Sequence, residues 1–576
     1  MRRVIVLAVL ARALAAQTTP EIRKAVERAL PVLEKSATTF VNKRACISCH
    51  HNILPILVLN LARERGVAID SAALAAVEDK TFRVLTGPPA LDDAIQATTL
   101  NDPTPNDSFL LMAAHAGGLA PDLTTAIYAR RLANWQRDSH WITSDFRPPH
   151  SSSMFTATAS AVRAISLYMP AELRKEMDSR IEAARRWLVA TRPASTEDAS
   201  FRLMGLVWAQ ATAEDLATAR RDLLALRIPA GSWPELPGYP ADAYSTGEAL
   251  YALRESGMAV SDRAWATGVR FLLSSQAADG TWRVHTRMVS PADVSPAYFP
   301  SGFPYEKDEY LSYAGSSWAV MAMLSALPAV QRQPEPRQIE RNDPPWIRTA
   351  LFGSMQQLTE ALNQGLSPNA RTEKGTSLLM MAAPDADKVR LLLNRGAEMA
   401  PKALAIATAY RGTAESVKAL VDAGADAKTR KALEYAAMAG DPENVKLLVA
   451  HGADPAPGLY QAVTFGYPDL VRYLISAGAS VKVTESSGIN LLHWAAIANR
   501  PEVIPILASA GASINSTDDF LYTPLMYAAT IDFGDTQVLK ALLKAGADPK
   551  IRNDEGRTAI EQARYYHHSQ LEAGLR

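Results

Sequence analysis

Cys46-Ile47-Ser48-Cys49-His50-His51 contains the only two cysteines of the 576-residue chain. Cys46, Cys49 and His50 stand at the C-x-x-C-H spacing that attaches a c-type haem. Two thiols three residues apart can each form a thioether with one porphyrin vinyl group, and the histidine that follows is delivered to the iron as proximal ligand. The motif therefore predicts one covalent haem c, held by Cys46 and Cys49 with His50 on the metal. Other readings stay open: zinc bound by both thiols, His50 and a fourth group, a redox-active or plain local disulfide, or an inert pair. His51 cannot reach the opposite face of the same iron and is assigned a second-shell or surface role.

Thioether attachment in bacteria takes place outside the cytoplasm, where paired thiols also persist. The N-terminus agrees. Met1-Arg2-Arg3, an apolar run from Val4 to Ala11 and Ala13-Leu14-Ala15-Ala16-Gln17 read as a signal peptide over residues 1–17, interrupted by Arg12. The expected location is periplasmic or secreted. Lys plus Arg and Asp plus Glu both number 60, so no global field favours nucleic acid or an anionic membrane. After the leader, no run approaches the length of a membrane span.

A chain of this length needs several cores. Residues 21–328 show apolar positions at helical spacing without strand-type alternation, and divide into about twelve helices, or six hairpins. Asp138-Ser139-His140-Trp141, Gly231-Ser232-Trp233 and Gln276-Ala277-Ala278-Asp279-Gly280-Thr281-Trp282 close helices in a repeating way. Glycine supplies the turn, and the indole buries a large face against the next hairpin. Gln276 to Trp282 resembles the Q-x-x-D-G-x-W repeat of terpenoid cyclases and protein prenyltransferases, and helices such as Tyr244-Ser245-Thr246-Gly247-Glu248-Ala249-Leu250 extend the likeness. That resemblance implies an α/α toroid around a central cavity. The combination with Thr39-Phe40, Arg147-Pro148-Pro149 and Ser301-Gly302-Phe303-Pro304 is similar to bacterial squalene-cyclase-like toroid proteins that carry a haem-attachment motif. The chemistry of the cyclases is not implied, because Ala90-Leu91-Asp92-Asp93 lacks the first carboxylate of their D-x-D-D acid. The zinc cysteine of the prenyltransferases is missing as well.

The register of the hairpins puts Cys46 to His51 on the rim of the toroid. Candidates for a sixth iron ligand are then His140, His150 and Met154 in or beside a rim loop, and His285 and Met288 in the long loop after Trp282. Met112 reads as part of a buried helix face. The 283–313 loop, with Pro296-Ala297-Tyr298-Phe299-Pro300, has the length of a lid or a cap.

Residues 329–345, around Gln333-Pro334-Glu335-Pro336, form a proline-rich linker. Beyond it, over 346–576, a glycine landmark recurs at Gly365, Gly396, Gly424, Gly452, Gly478, Gly511 and Gly546, each after an amphipathic helix. A helix, a left-handed glycine and a short finger before the next helix resemble the ankyrin repeat, and Thr523-Pro524-Leu525-Met526 and Asn490-Leu491-Leu492-His493 match its T-P-L-H start. About seven repeats are expected, with fingers shortened in the middle of the array. The family implies protein binding. The last fingers offer Asp518, Asp519, Phe520, Tyr522, Asn553 and Asp554 to a partner. His493 is structural in that family, and His567-His568 reads as a solvated end cap.

The expected fold is all-α, an α/α toroid followed by an ankyrin solenoid. The expected function is that of an exported haem-bearing redox or sensing protein with ankyrin-mediated protein binding, more readily a non-enzyme than an enzyme. The alternatives are a non-catalytic scaffold with structural or zinc-binding cysteines, and a terpenoid-cyclase-like enzyme. An enzyme acting in the toroid cavity would need a carboxylate pair facing it. Sequence does not identify that pair, the partner or the oligomeric state.

Overall fold

The computed structural model describes residues 2–44, 49–97, 102–150, 152–288, 301–330 and 336–576, with side chains from Thr19 onward and without that of Cys49. The regular elements among the described residues are all helices, with only isolated β-bridges besides. In the N-terminal half, outer and inner helices alternate. α1 (Arg2–Lys43) lies outside, α2 (Leu54–Glu64) inside, α3 (Ser71–Thr86) and α4 (Ala90–Gln96) outside, and α5 (Pro103–Ala116) inside. The alternation continues with α6 (Leu123–Asn134) outside, α7 (Met154–Tyr168) inside, α8 (Arg174–Ala190) outside and α9 (Thr196–Trp208) inside. α10 (Ala213–Ala225) and α12 (Arg263–Ser275) are outer, and α11 (Ala243–Glu255) and α13 (Glu309–Leu324) inner. α2, α5, α7, α9, α11 and α13 each pack on the next, and α13 returns to α2. The inner helices thus form a closed ring.

The three tryptophan loops build this ring in the same way each time. Trp141, Trp233 and Trp282 are fully buried. Their indole N–H groups donate to Leu132, Leu223 and Leu272 at the ends of the preceding outer helices, at 2.7, 2.8 and 2.8 Å. Their backbone N–H groups donate to Thr158, Thr246 and Ser316 on the inner helices that follow, at 3.1, 3.0 and 3.0 Å. Each indole therefore satisfies an orphan carbonyl of one helix while fixing the register of the next. Between α11 and α13 the ring is tightest: a Cβ on Gly247 would stand 2.5 Å from Ala319 N. Only glycine admits that approach.

Four inner helices start on a side-chain cap, Asp102, Ser153, Ser195 and Asp242, each accepting from the first-turn N–H groups. The other two enter differently. α2 follows a π-turn, Cys49–Ile53, and α13 a 3₁₀ turn, Glu306–Asp308. Several boundaries differ from the expected ones. α1 runs unbroken through the expected leader junction at 17, α4 is an additional helix, and α13 begins at Glu309.

Val330 and Arg337 both contact the toroid: Val330 N donates to Glu64 O at 3.0 Å, and Arg337 pairs with Leu119 in a parallel bridge. The second half runs from α14 (Pro345–Phe352) to α29 (Ser569–Gly574) as eight helix pairs, against about seven expected repeats. The connections over 395–402, 423–429 and 451–455 are short, whereas 477–490, 510–523 and 545–558 form full fingers. The array is docked on the toroid through the first helices of its pairs and the turns that end them. Trp135 Nε1 donates to Ala409 O and Tyr435 Oη to Ala97 O, both at 2.9 Å, and Arg130 donates to Leu351 O at 2.7 Å. Further along, Asp532 N donates to Arg287 O at 2.8 Å and Met288 pairs with Ile531.

Two outcomes follow from this packing. Trp233→Phe strands the Leu223 carbonyl, at a cost of about 1–3 kcal/mol, and leaves a void where the larger ring stood; the toroid's thermal midpoint should fall, and an unchanged midpoint would contradict the staple. A protease site built into 331–335 should, once cut, leave both halves co-eluting on size exclusion. Separate elution would contradict the docking.

Candidate functional site

The six inner helices run in parallel, so their N-terminal turns meet at one mouth and their C-terminal turns at the other. The C-terminal mouth opens on a cavity of about 360 Å³ whose walls include Leu57, Met112, Phe201, Tyr251 and Trp318 together with charged Arg63, Glu64, Arg163 and Glu255. The N-terminal mouth has another chemistry. It gathers buried imidazoles, phenols and carboxyls.

The π-turn delivers His50 and His51 there, both fully buried. His50 stands edge-on to Tyr310, with centroids 4.5 Å apart at 84°. Burial, with His51, Arg147 and His150 adding to it, holds its pKa well below the usual imidazole value. A neutral imidazole is the form that ligates metals. His51 is stacked between Phe40 at 4.9 Å and Tyr313 at 4.1 Å. Its Nε2 lies 3.2 Å from Ser301 Oγ and 3.5 Å from the Glu309 carboxylate. Burial lowers the His51 pKa and Glu309 partly offsets that. Ser301 also meets Ser36 at 2.6 Å and donates to Glu309. Full burial excludes the surface role expected for His51. Cys46 lies outside the described residues, as does the side chain of Cys49, and among the described residues no group of three His, Cys, Asp or Glu is placed to hold a metal.

The sixth-ligand candidates separate cleanly. His150, which follows the cis Pro148–Pro149 bond, is fully buried and has its ring centroid 6.3 Å from that of Tyr310, the ring His50 also contacts. Its Nδ1 is 3.2 Å from Tyr244 Oη, and its Nε2 has no hydrogen-bond partner among the described residues. Burial, and Arg147 beside it, push its pKa down to about 4. His140 instead stacks on Trp187 of an outer helix, with centroids 4.7 Å apart. Met154 is 47 % exposed at the start of α7. Met288 belongs to the seam with the array, His285 is 76 % exposed beside Asp308, and Met112 lines the opposite cavity.

Sequence reasoning left a carboxylate pair open. The structure supplies one at this mouth. Glu197 accepts from Thr156 Oγ1 at 2.6 Å and Tyr244 Oη at 2.8 Å, and the Glu248 carboxyl is close enough to act on it. Neither carboxyl oxygen of Glu248 has a hydrogen-bond donor among the described residues. Both lie on the stripes that reach the central cavity one turn later, at Phe201 and Tyr251. Burial pushes Glu197 up to about 7, and burial with Glu197 and Glu235 nearby raises Glu248 well above the carboxylate range. The available signal was Glu248 itself, a carboxylate on a helix otherwise fit for burial.

The partner-binding residues proposed for the array are only partly at its surface. Asp518, Tyr522 and Asn553 are buried. Asp518 accepts from Tyr522 N at 2.8 Å and Tyr527 Oη at 2.6 Å, and Tyr522 Oη accepts from Gln562 at 2.7 Å. These three shape the fingers, while Asp519 and Asp554 are exposed and Phe520 is half-buried. His493 is the structural residue expected, closing a capping box with Asn490 and placing Nε2 3.0 Å from Tyr522 O. His568 is not solvated. It is 3 % exposed with Nδ1 3.3 Å from Ala529 O, because the last helix pair folds it inward.

No helix among the described residues is long and apolar enough to cross a membrane. The chain is similar to Palmitoyltransferase Hip14 of Drosophila melanogaster, 32% identical over 102 residues, which are 18% of this chain and 16% of that relative. It thus spans about 16% of the length of the curated relative it matches. Residues 346–457 and 459–553 match the family described as Ankyrin repeats (3 copies). The C-terminal part of the chain is therefore an array of ankyrin repeats, the module of protein–protein interaction.

Proposed function

We propose that the chain is an exported, haem-bearing protein of redox or sensing type whose ankyrin repeats bind a protein partner. Cys46 and Cys49 would attach the haem, and His50 and His150 would be the imidazoles that hold its iron. The supporting observation is the pair of buried imidazoles around Tyr310. Tyr244 donates its one hydrogen to Glu197, so its oxygen accepts from His150 Nδ1–H. That assigns the tautomer and leaves Nε2 as a bare lone pair. A buried polar atom with no partner is costly unless something binds it. Iron is a partner of the right kind. The Tyr244–Glu197 chain behind the ring orients such a ligand from the second shell.

A haem bound there supplies one-electron chemistry at its iron. The chain's own residues bury the site, keep both imidazoles neutral and hold His51 fast between Phe40 and Tyr313. Protein binding falls to the parts of the array that the toroid leaves uncovered, among them Asp519 and Asp554.

Expression with a c-type maturation system, followed by a pyridine haemochrome assay on the denatured chain, tests the attachment. A haem spectrum should survive denaturation and vanish in Cys46→Ser/Cys49→Ser. A colourless wild type would contradict haem attachment, and zinc analysis with a thiol count would then decide between the scaffold readings.

A further inference from the structure

Arg287 joins two halves of the molecule through one charge. It is 8 % exposed and stands 3.7 Å from the Glu235 carboxylate of the toroid and 3.8 Å from Asp532 of the array. Both separations are too long for good hydrogen bonds. Its Nε and one terminal nitrogen have no partner among the described residues. The guanidinium is poised between two carboxylates and committed to neither. Asp532 is fully buried and held by the Tyr239 hydroxyl, and Tyr239 also lies under Arg287 at 5.7 Å.

Behind Glu235 stands the carboxyl pair. Glu235 accepts from Glu197 N at 3.3 Å and Ser245 Oγ at 3.2 Å. The groups that face this cluster are Thr156 of α7, Glu197 and Asp198 of α9, Asp242, Tyr244 and Glu248 of α11, Tyr310 of α13, and Arg287. His568 of the array faces Asp532 and Arg287. Arg287 is the cation that acts on Glu235. Carboxyls packed together away from water cannot all ionise, so the cluster retains protons.

We propose that Glu197, Glu235 and Glu248 form a proton-binding site sealed inside the toroid, coupled through Arg287 to the docking of the ankyrin array on Asp532. The coupling is electrostatic and reciprocal. When Asp532 draws on Arg287, less positive charge reaches Glu235, and the cluster binds its protons more tightly. Protons on the cluster in turn release Arg287 to Asp532 and tighten the docked array. Burial raises Glu235 well above its ordinary value, with Arg287 opposing, which is the sense this exchange requires. No haem is needed for it.

The test is infrared titration of the full chain, following the C=O stretch of protonated carboxyls across pH, with Glu248→Gln to assign the band. Wild type should show the band at neutral pH and lose it as the pH rises. Asp532→Asn frees Arg287 for Glu235 and should lower the cluster's proton affinity about fivefold or more. Tyr239→Phe removes a donor from Asp532, leaves that carboxylate to pull harder on Arg287, and should move the titration the opposite way. Opposite shifts are not what general loosening of the seam would produce, and the wild-type titration stands even where a variant fails to fold. Absence of the band at neutral pH in wild type would overturn the proton site. Titrations of Asp532→Asn and Tyr239→Phe that coincide with wild type would overturn the coupling.

Discussion

Closing the inner helices into a ring buries their first turns, and that burial dictates the chemistry of the N-terminal mouth. Charged groups removed from water must pair or change protonation state. His50, His51 and His150 respond by lowering their pKa, and Glu197, Glu235 and Glu248 by raising theirs. Lowered imidazole pKa values, raised carboxyl pKa values and one shared guanidinium are thus consequences of a single packing constraint. The opposite mouth feels the same constraint beside its aromatic walls, where burial lowers the pKa of His115 and raises that of Glu255.

The second constraint is the dock between the two halves. The face formed by the first helices of the array is spent on the chain's own toroid, at Ala409, Tyr435 and Asp532. An external partner is left with the fingers and the second helices. The fingers at 477–490, 510–523 and 545–558 are also tied to each other, Asp519 N donating to Ser487 O at 2.9 Å and Asp554 N to Phe520 O at 3.2 Å. They form one continuous rim rather than separate loops.

The fold was largely legible because its determinants repeat along the chain. Trp141, Trp233 and Trp282 mark the same junction three times, and the glycines from Gly365 to Gly546 mark the ends of amphipathic helices at near-regular spacing. The shortened middle fingers could be read from that spacing too. The site was legible only where its parts are adjacent in sequence, as in the run from Cys46 to His51. His150 stood among several candidates because nothing local separates a histidine that meets Tyr310 from one that stacks on Trp187. Glu197 and Glu248 come together only when α9 meets α11. Asp518, Tyr522 and Asn553 looked like surface residues because finger composition is polar whether the side chain faces a partner or folds back on its own turn.

The central claim is that His50 and His150 are the two histidines of one iron site. Electron paramagnetic resonance of the ferric full-length protein, wild type against His150→Ala, tests it most directly. The account predicts a low-spin signal in wild type, conversion to high spin in the variant, and return to low spin on adding imidazole. A variant spectrum identical to wild type would assign the sixth position to another residue and contradict it.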